Sequence, residues 1–134
     1  MEEALVKRIL PHSSESERAV VGSMMMDADA IAAASEIITG EDFYQRQYGV
    51  LFDAMVELYS EGKPVDLITL QEKLKTRDVP AELTSVEFIS GLINDVPTSI
   101  NVRHYARTVA EKATLRRLIR VNEEIANVCY MAKE

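Results

Sequence analysis

The sequence predicts an all-α protein: a small globular bundle of about five helices followed by one long C-terminal helix. Three observations carry this. The composition favours helices, with Gly and Pro together at only nine residues and no Trp. Capping residues and Gly or Pro stops recur at helical intervals, and no stretch alternates as a strand would. From Asn101 to Lys133 no Gly or Pro interrupts the chain. A helix over Asn101–Ala132 would be about 48 Å long, whereas a domain of about 100 residues is about 33 Å across. Part of that helix must project, and its apolar positions then need a partner.

The elements follow in order. Residues 1–10 read as a flexible tail, although Leu5, Val6, Ile9 and Leu10 are apolar enough to pack. Pro11-His12-Ser13-Ser14-Glu15-Ser16-Glu17 supplies a cap, with Ser14 and Glu17 in capping-box spacing, and Ala19, Val20 and Met24 give an apolar stripe ending near Met26. Asp27 or Asp29 opens an alanine-rich helix, Ala30 to Ile38, closed by Thr39-Gly40. After the short turn Glu41-Asp42-Phe43-Tyr44, residues Gln47 to Ser60 carry Val50, Leu51, Ala54, Met55 and Leu58 at helical spacing before Gly62-Lys63-Pro64. Asp66 caps Leu67–Leu74. Thr84 and Glu87 repeat the capping-box spacing before Phe88, Ile89, Leu92 and Ile93, and Pro97 ends that segment. This divides the chain into the tail, a globular subdomain over 11–98, and the long helix over 99–134.

Charge is unevenly placed. Residues 1–100 hold eight Lys/Arg against 18 Asp/Glu, and residues 101–134 hold seven against four, so a net −7 conceals an acidic globule and a basic helix. Such a globule is a poor general nucleic-acid binder. One cysteine, Cys129, permits no internal disulfide, and without a secretory leader or an 18-residue apolar run the chain reads as cytoplasmic.

Motifs of catalysis are missing. Gly62-Lys63-Pro64 fails as a phosphate loop, since the preceding glycine spacing is absent and Pro replaces Ser/Thr. His12 and His104 stand far apart, so no metal set, cofactor site or catalytic residue is expected. Met24-Met25-Met26 reads as core filling with one exposed member. Cys129 lies on the stripe Leu118, Asn122, Ile125, Cys129, Ala132 and reads as a core or interface thiol. The cations Arg116, Arg117 and Arg120 fit contacts to an acidic partner, contacts to phosphate, or a merely solvated side. A small helical regulator that binds nucleic acid through this Arg-rich helix therefore stands as one reading, and a helical scaffold as another.

The residues also carry a family resemblance. Pro11-His12-Ser13, Glu41-Asp42-Phe43-Tyr44, Gly62-Lys-Pro-Val-Asp66-Leu-Ile-Thr-Leu70, Asn101-Val-Arg-His-Tyr105-Ala, Glu111-Lys112 and Leu115-Arg-Arg-Leu-Ile119, in this order, resemble the N-terminal domain of the replicative DNA helicases of the DnaB family, bacterial or phage. The resemblance implies a globule plus a helical hairpin, of which the long helix is the first half. It implies that subunits pair through the hairpin, so that a hexameric ring carries a collar, and that the collar docks the helicase-binding domain of primase, with a loader and DNA as further partners of the parent. The RecA-like ATPase motor, with its ATP and Mg, would be a separate C-terminal domain that these 134 residues do not include, so this chain alone is not expected to be an enzyme. On that basis the subunit or partner interface is expected at Tyr105, Val109, Leu115, Leu118, Ile119, Asn122, Ile125, Val128 and Cys129. Asn122, polar within the stripe, either fixes pairing register or sits at its rim.

Overall fold

The first helix begins one residue earlier than its capping-box spacing suggests. In the computed structural model, which describes residues 9–96 and 98–132, α1 spans Ser14–Met26 and the Ser13 hydroxyl accepts from the Ser16 N–H as N-cap. Glu17 is thereby released from capping. Its side chain is buried, and its two oxygens accept from the main-chain N–H groups of Tyr44 at 2.9 Å and Gln45 at 3.1 Å. A carboxylate out of water needs such donors, and here they hold the turn before the third helix against α1.

α2 runs Ala28–Ser35 with Asp27 as N-cap. It ends before the expected Gly40 stop: the chain leaves the helix after Ser35 and carries Ile38 into the core. Gly40 instead opens a 3-10 turn, Gly40–Asp42. α3 spans Arg46–Ser60, and its end matches expectation. Gly62 takes φ +73°, with Lys63 N–H donating to the Leu58 carbonyl and Gly62 N–H to that of Tyr59, a Schellman stop. α4 spans Leu67–Lys75, and Asp66 and Thr69 exchange side-chain bonds across its first turn, both at 2.9 Å. α5 spans Val86–Asn94 with Ser85, not Thr84, as its cap, because Thr84 belongs to a preceding 3-10 turn, Ala81–Thr84.

The last helix, α6, spans Val102–Met131, 30 residues and so about 45 Å. The described residues are thus all-helical, as expected. Residues 1–8 of the anticipated tail, the Pro97 stop and Lys133 lie outside the described residues.

α1 is the hub, packing on α2, α3, α5 and the first half of α6, while α3 also carries α4 and the Gly40–Asp42 turn. Its Val20, Val21 and Met24 are sealed in the core; Met25 is half-buried and Met26 exposed, the division expected of the methionine run. α5 approaches α1 so closely that a methyl group on Gly22 would lie 2.4 Å from the Leu92 carbonyl oxygen and 2.6 Å from Val96. Gly91, within α5, has open space at its Cβ position. The same substitution therefore has opposite effects at the two sites. Gly22→Ala is expected to lower unfolding stability by about 2 kcal/mol through forced separation of the helices. Gly91→Ala is expected to raise it by about 0.5–1 kcal/mol through helix propensity. Urea titration of both variants checks the sign.

Candidate functional site

α6 has two apolar faces, one after the other. In its first half Val102, Ala106, Val109, Ala113 and Arg116 recur at intervals of four and three and are buried, and the alanines let this stretch lie close to α1 and α2. From Leu115 onward a second face begins. Leu115, Leu118, Val121, Ile125 and Val128 are 44–70% exposed, Ile119 is half-buried, and Asn122 and Cys129 are exposed. On an ideal wheel this second face is centred roughly 170° from the buried stripe and covers about half the circumference. It looks away from the globule. A surface that wide exceeds the seam of a two-stranded coiled coil and suits a bundle with more than one covering helix.

Two residues of the expected interface belong elsewhere. Val109 is 1% exposed in the globule's core and is not available to a partner: it lies on the docked face, where α6 meets α1. Tyr105 is half-buried against the same core, edge-on to the exposed His104 ring at 5.6 Å. The expected set omitted Val121, Tyr130 and Met131, all exposed. Val121 was detectable, because Leu118, Val121, Ile125 and Val128 keep the four–three spacing on their own.

The three cations also separate. Arg116, expected to reach a partner or a phosphate, is 4% exposed and points inward. Its Nη1 donates to the Pro11 carbonyl at 2.9 Å and its Nη2 to the Asp42 carbonyl at 2.6 Å. Its guanidinium carbon lies 5.6 Å from the centre of the Tyr44 ring, and Tyr44 in turn stacks on His12 at 3.9 Å. Burial pulls the Arg116 guanidinium below the ordinary arginine range, and the Glu17 carboxylate opposes that shift. Arg117 donates to Asp42 Oδ1 at 2.9 Å on the surface. Arg120 is exposed beside Glu41, Phe43 and Tyr44.

No group of three or more potential metal ligands occurs among the described residues, and no helix there is long and apolar enough to cross a membrane. A hollow of about 530 Å³ between residues 40–44, α3 and residues 77–79 is an open cleft with carboxylates and arginines on its rim. The described residues thus form a helical globule from which one long helix projects with its outer apolar face uncovered.

Comparison with known proteins places that fold. Residues 9–111 match the family described as DnaB-like helicase N terminal domain. The replicative DNA helicase DnaB of Geobacillus stearothermophilus is 41% identical over the whole chain, and the replicative DNA helicase DnaC of Bacillus subtilis is 35% identical. The chain spans about 30% of the length of either relative. The crystal structure of the N-terminal domain of DnaB helicase from Mycobacterium tuberculosis superposes with a TM-score of 0.87 at 33% identity, covering 92% of this chain and 90% of that one. The N-terminal domain of DnaB helicase from Helicobacter pylori, described with its interactions with primase, gives 0.75 at 19% identity over 87% of this chain and 90% of that one, a likeness of fold. The chain belongs to the DnaB-like helicase N-terminal domain family.

The two faces of α6 differ in what a charge does to them. Val109→Asp is expected to cost more than about 3 kcal/mol, because its carboxylate has no partner in the core. Ile125→Asp, already in water, is expected to stay within about 0.5 kcal/mol of the parent in dilute solution. Denaturant unfolding of the two variants separates them.

Proposed function

We propose that this chain is the N-terminal part of a replicative DNA helicase, where it helps assemble the ring through pairing of its last helix and docks the helicase-binding domain of primase. The uncovered apolar face that starts at Leu115 and looks away from the globule supports this reading. Leaving Leu118, Val121, Ile125 and Val128 about half exposed or more forgoes on the order of 1 kcal/mol each relative to full burial. A partner of that shape is a helical one, and a second copy of α6, completed by the next helix of a hairpin, is the nearest source. ATP and Mg would serve a motor domain outside these residues, a loader would act on the assembled ring, and DNA contact would belong to the parent.

Engagement of Arg116 and Arg117 within the chain weakens the alternative of a nucleic-acid-binding regulator. Of the three cations, Arg120 is the one without a hydrogen bond or ion pair among the described residues. A stacking and phosphate-contacting face needs more than that.

Sedimentation equilibrium tests the assembly role. The chain is expected to associate as its concentration rises, and Leu118→Asp with Ile125→Asp is expected to hold it monomeric with an unchanged far-UV spectrum. A monomer at every concentration, indifferent to those substitutions, contradicts self-pairing. Calorimetric titration with the primase helicase-binding domain is expected to give heat of binding for the parent chain and a loss of ten-fold or more in affinity for the double variant.

A further inference from the structure

The apolar anchors of α6 stop early. Ala113 is the last apolar residue of the docked stripe, and a methyl group gives little leverage on the helix beyond it. One turn later comes Arg116, buried although charged, and from Arg117 to Ala132 every residue is exposed or half-buried. Its acceptors are the carbonyls of Pro11 and Asp42. The first belongs to the strap leading into α1 and the second to the 3-10 turn before α3, so one guanidinium holds α6 to two separate segments. Main-chain carbonyls cannot rotate away as side chains do. Both segments are themselves fixed: Glu17 holds the Tyr44 and Gln45 N–H groups next to Asp42, and His12 next to Pro11 stacks on Tyr44.

From this geometry we propose that Arg116 is the positioning residue of the projecting arm, its forked guanidinium setting the direction in which Val121–Met131 leaves the globule. The planar fork suits the task, since its donors diverge at fixed angles to reach both carbonyls, whereas lysine can reach one and methionine neither. The lever is long. From Arg116 to Cys129 is about 20 Å of helix, so a tilt of roughly 10° moves the thiol by roughly 3–4 Å. A ring built through paired arms needs that direction held, and in this respect the proposal rests on the assembly role argued above.

The test is made on monomers, so that it can fail independently of assembly. Cys129 is the chain's one cysteine and is exposed on the arm, and Ser60→Cys at the exposed end of α3 supplies a second spin-label site. In the Leu118→Asp, Ile125→Asp background, pulsed electron–electron distance measurement is expected to give one narrow distribution. Arg116→Met is expected to widen it about two-fold while far-UV spectrum and cooperative unfolding persist, and Arg116→Lys is expected to fall between. Arg117→Ala, which removes only the surface pair with Asp42, is expected to leave the width unchanged. A folded Arg116→Met with the parental width overturns the proposal, as does equal widening by Arg117→Ala. Should Arg116→Met fail to fold, Arg116→Lys decides, a parental width counting against the proposal and a widened one for it.

Discussion

The docking of the first half of α6 on α1 is the contact on which the other arrangements depend. Its buried stripe of Val102, Ala106, Val109 and Ala113 is narrow and made of small residues, so the two helices approach without large side chains to fill the space between them. α1 in turn touches α2, α3 and α5, and Glu17 ties the turn before α3 to its first turn. Arg116 then closes the far end of the α6 contact on that same turn. A carboxylate and a guanidinium, both buried and both satisfied largely by main-chain groups, thus bracket the place where the helix departs.

Beyond that point the physics of α6 changes. An isolated helix of eleven residues is marginal in water because nucleation is costly, but Val121–Met131 continues a helix already formed and is spared that cost. What it lacks is burial. The switch of apolar face at Leu115 puts the second face on the side opposite the globule, so in the proposed assembly role the core need not open to receive a partner. The fold is thereby complete without the second face, and that face stays open on the surface.

Much of the fold was legible because helix ends are local events. Asp66 with Thr69, and Gly62 with its positive φ, announce themselves within a few residues. The caps of α1 and α5 fell one position away from the expected residue, since neighbouring Ser and Thr compete for the same role and nothing local decides between Ser13 and Ser14, or Thr84 and Ser85. α2 ended early because tertiary burial of Ile38, not a glycine, set its end. The length of α6 and its uncovered stripe could also be read directly. Which of two apolar faces meets the globule could not, so Val109 was grouped with residues on the opposite side. Arg116 was misread for a related reason: its acceptors are carbonyls 74 and 105 residues away, and a backbone acceptor leaves no mark in the sequence.

Amide hydrogen exchange along α6 tests the division into docked and waiting halves most directly. At high dilution, protection is expected to be strong from Ala106 to about Arg116 and weak from Val121 to Met131, with the boundary moving outward as concentration rises and the second face is covered. Uniform protection along the whole helix at every concentration would contradict the account.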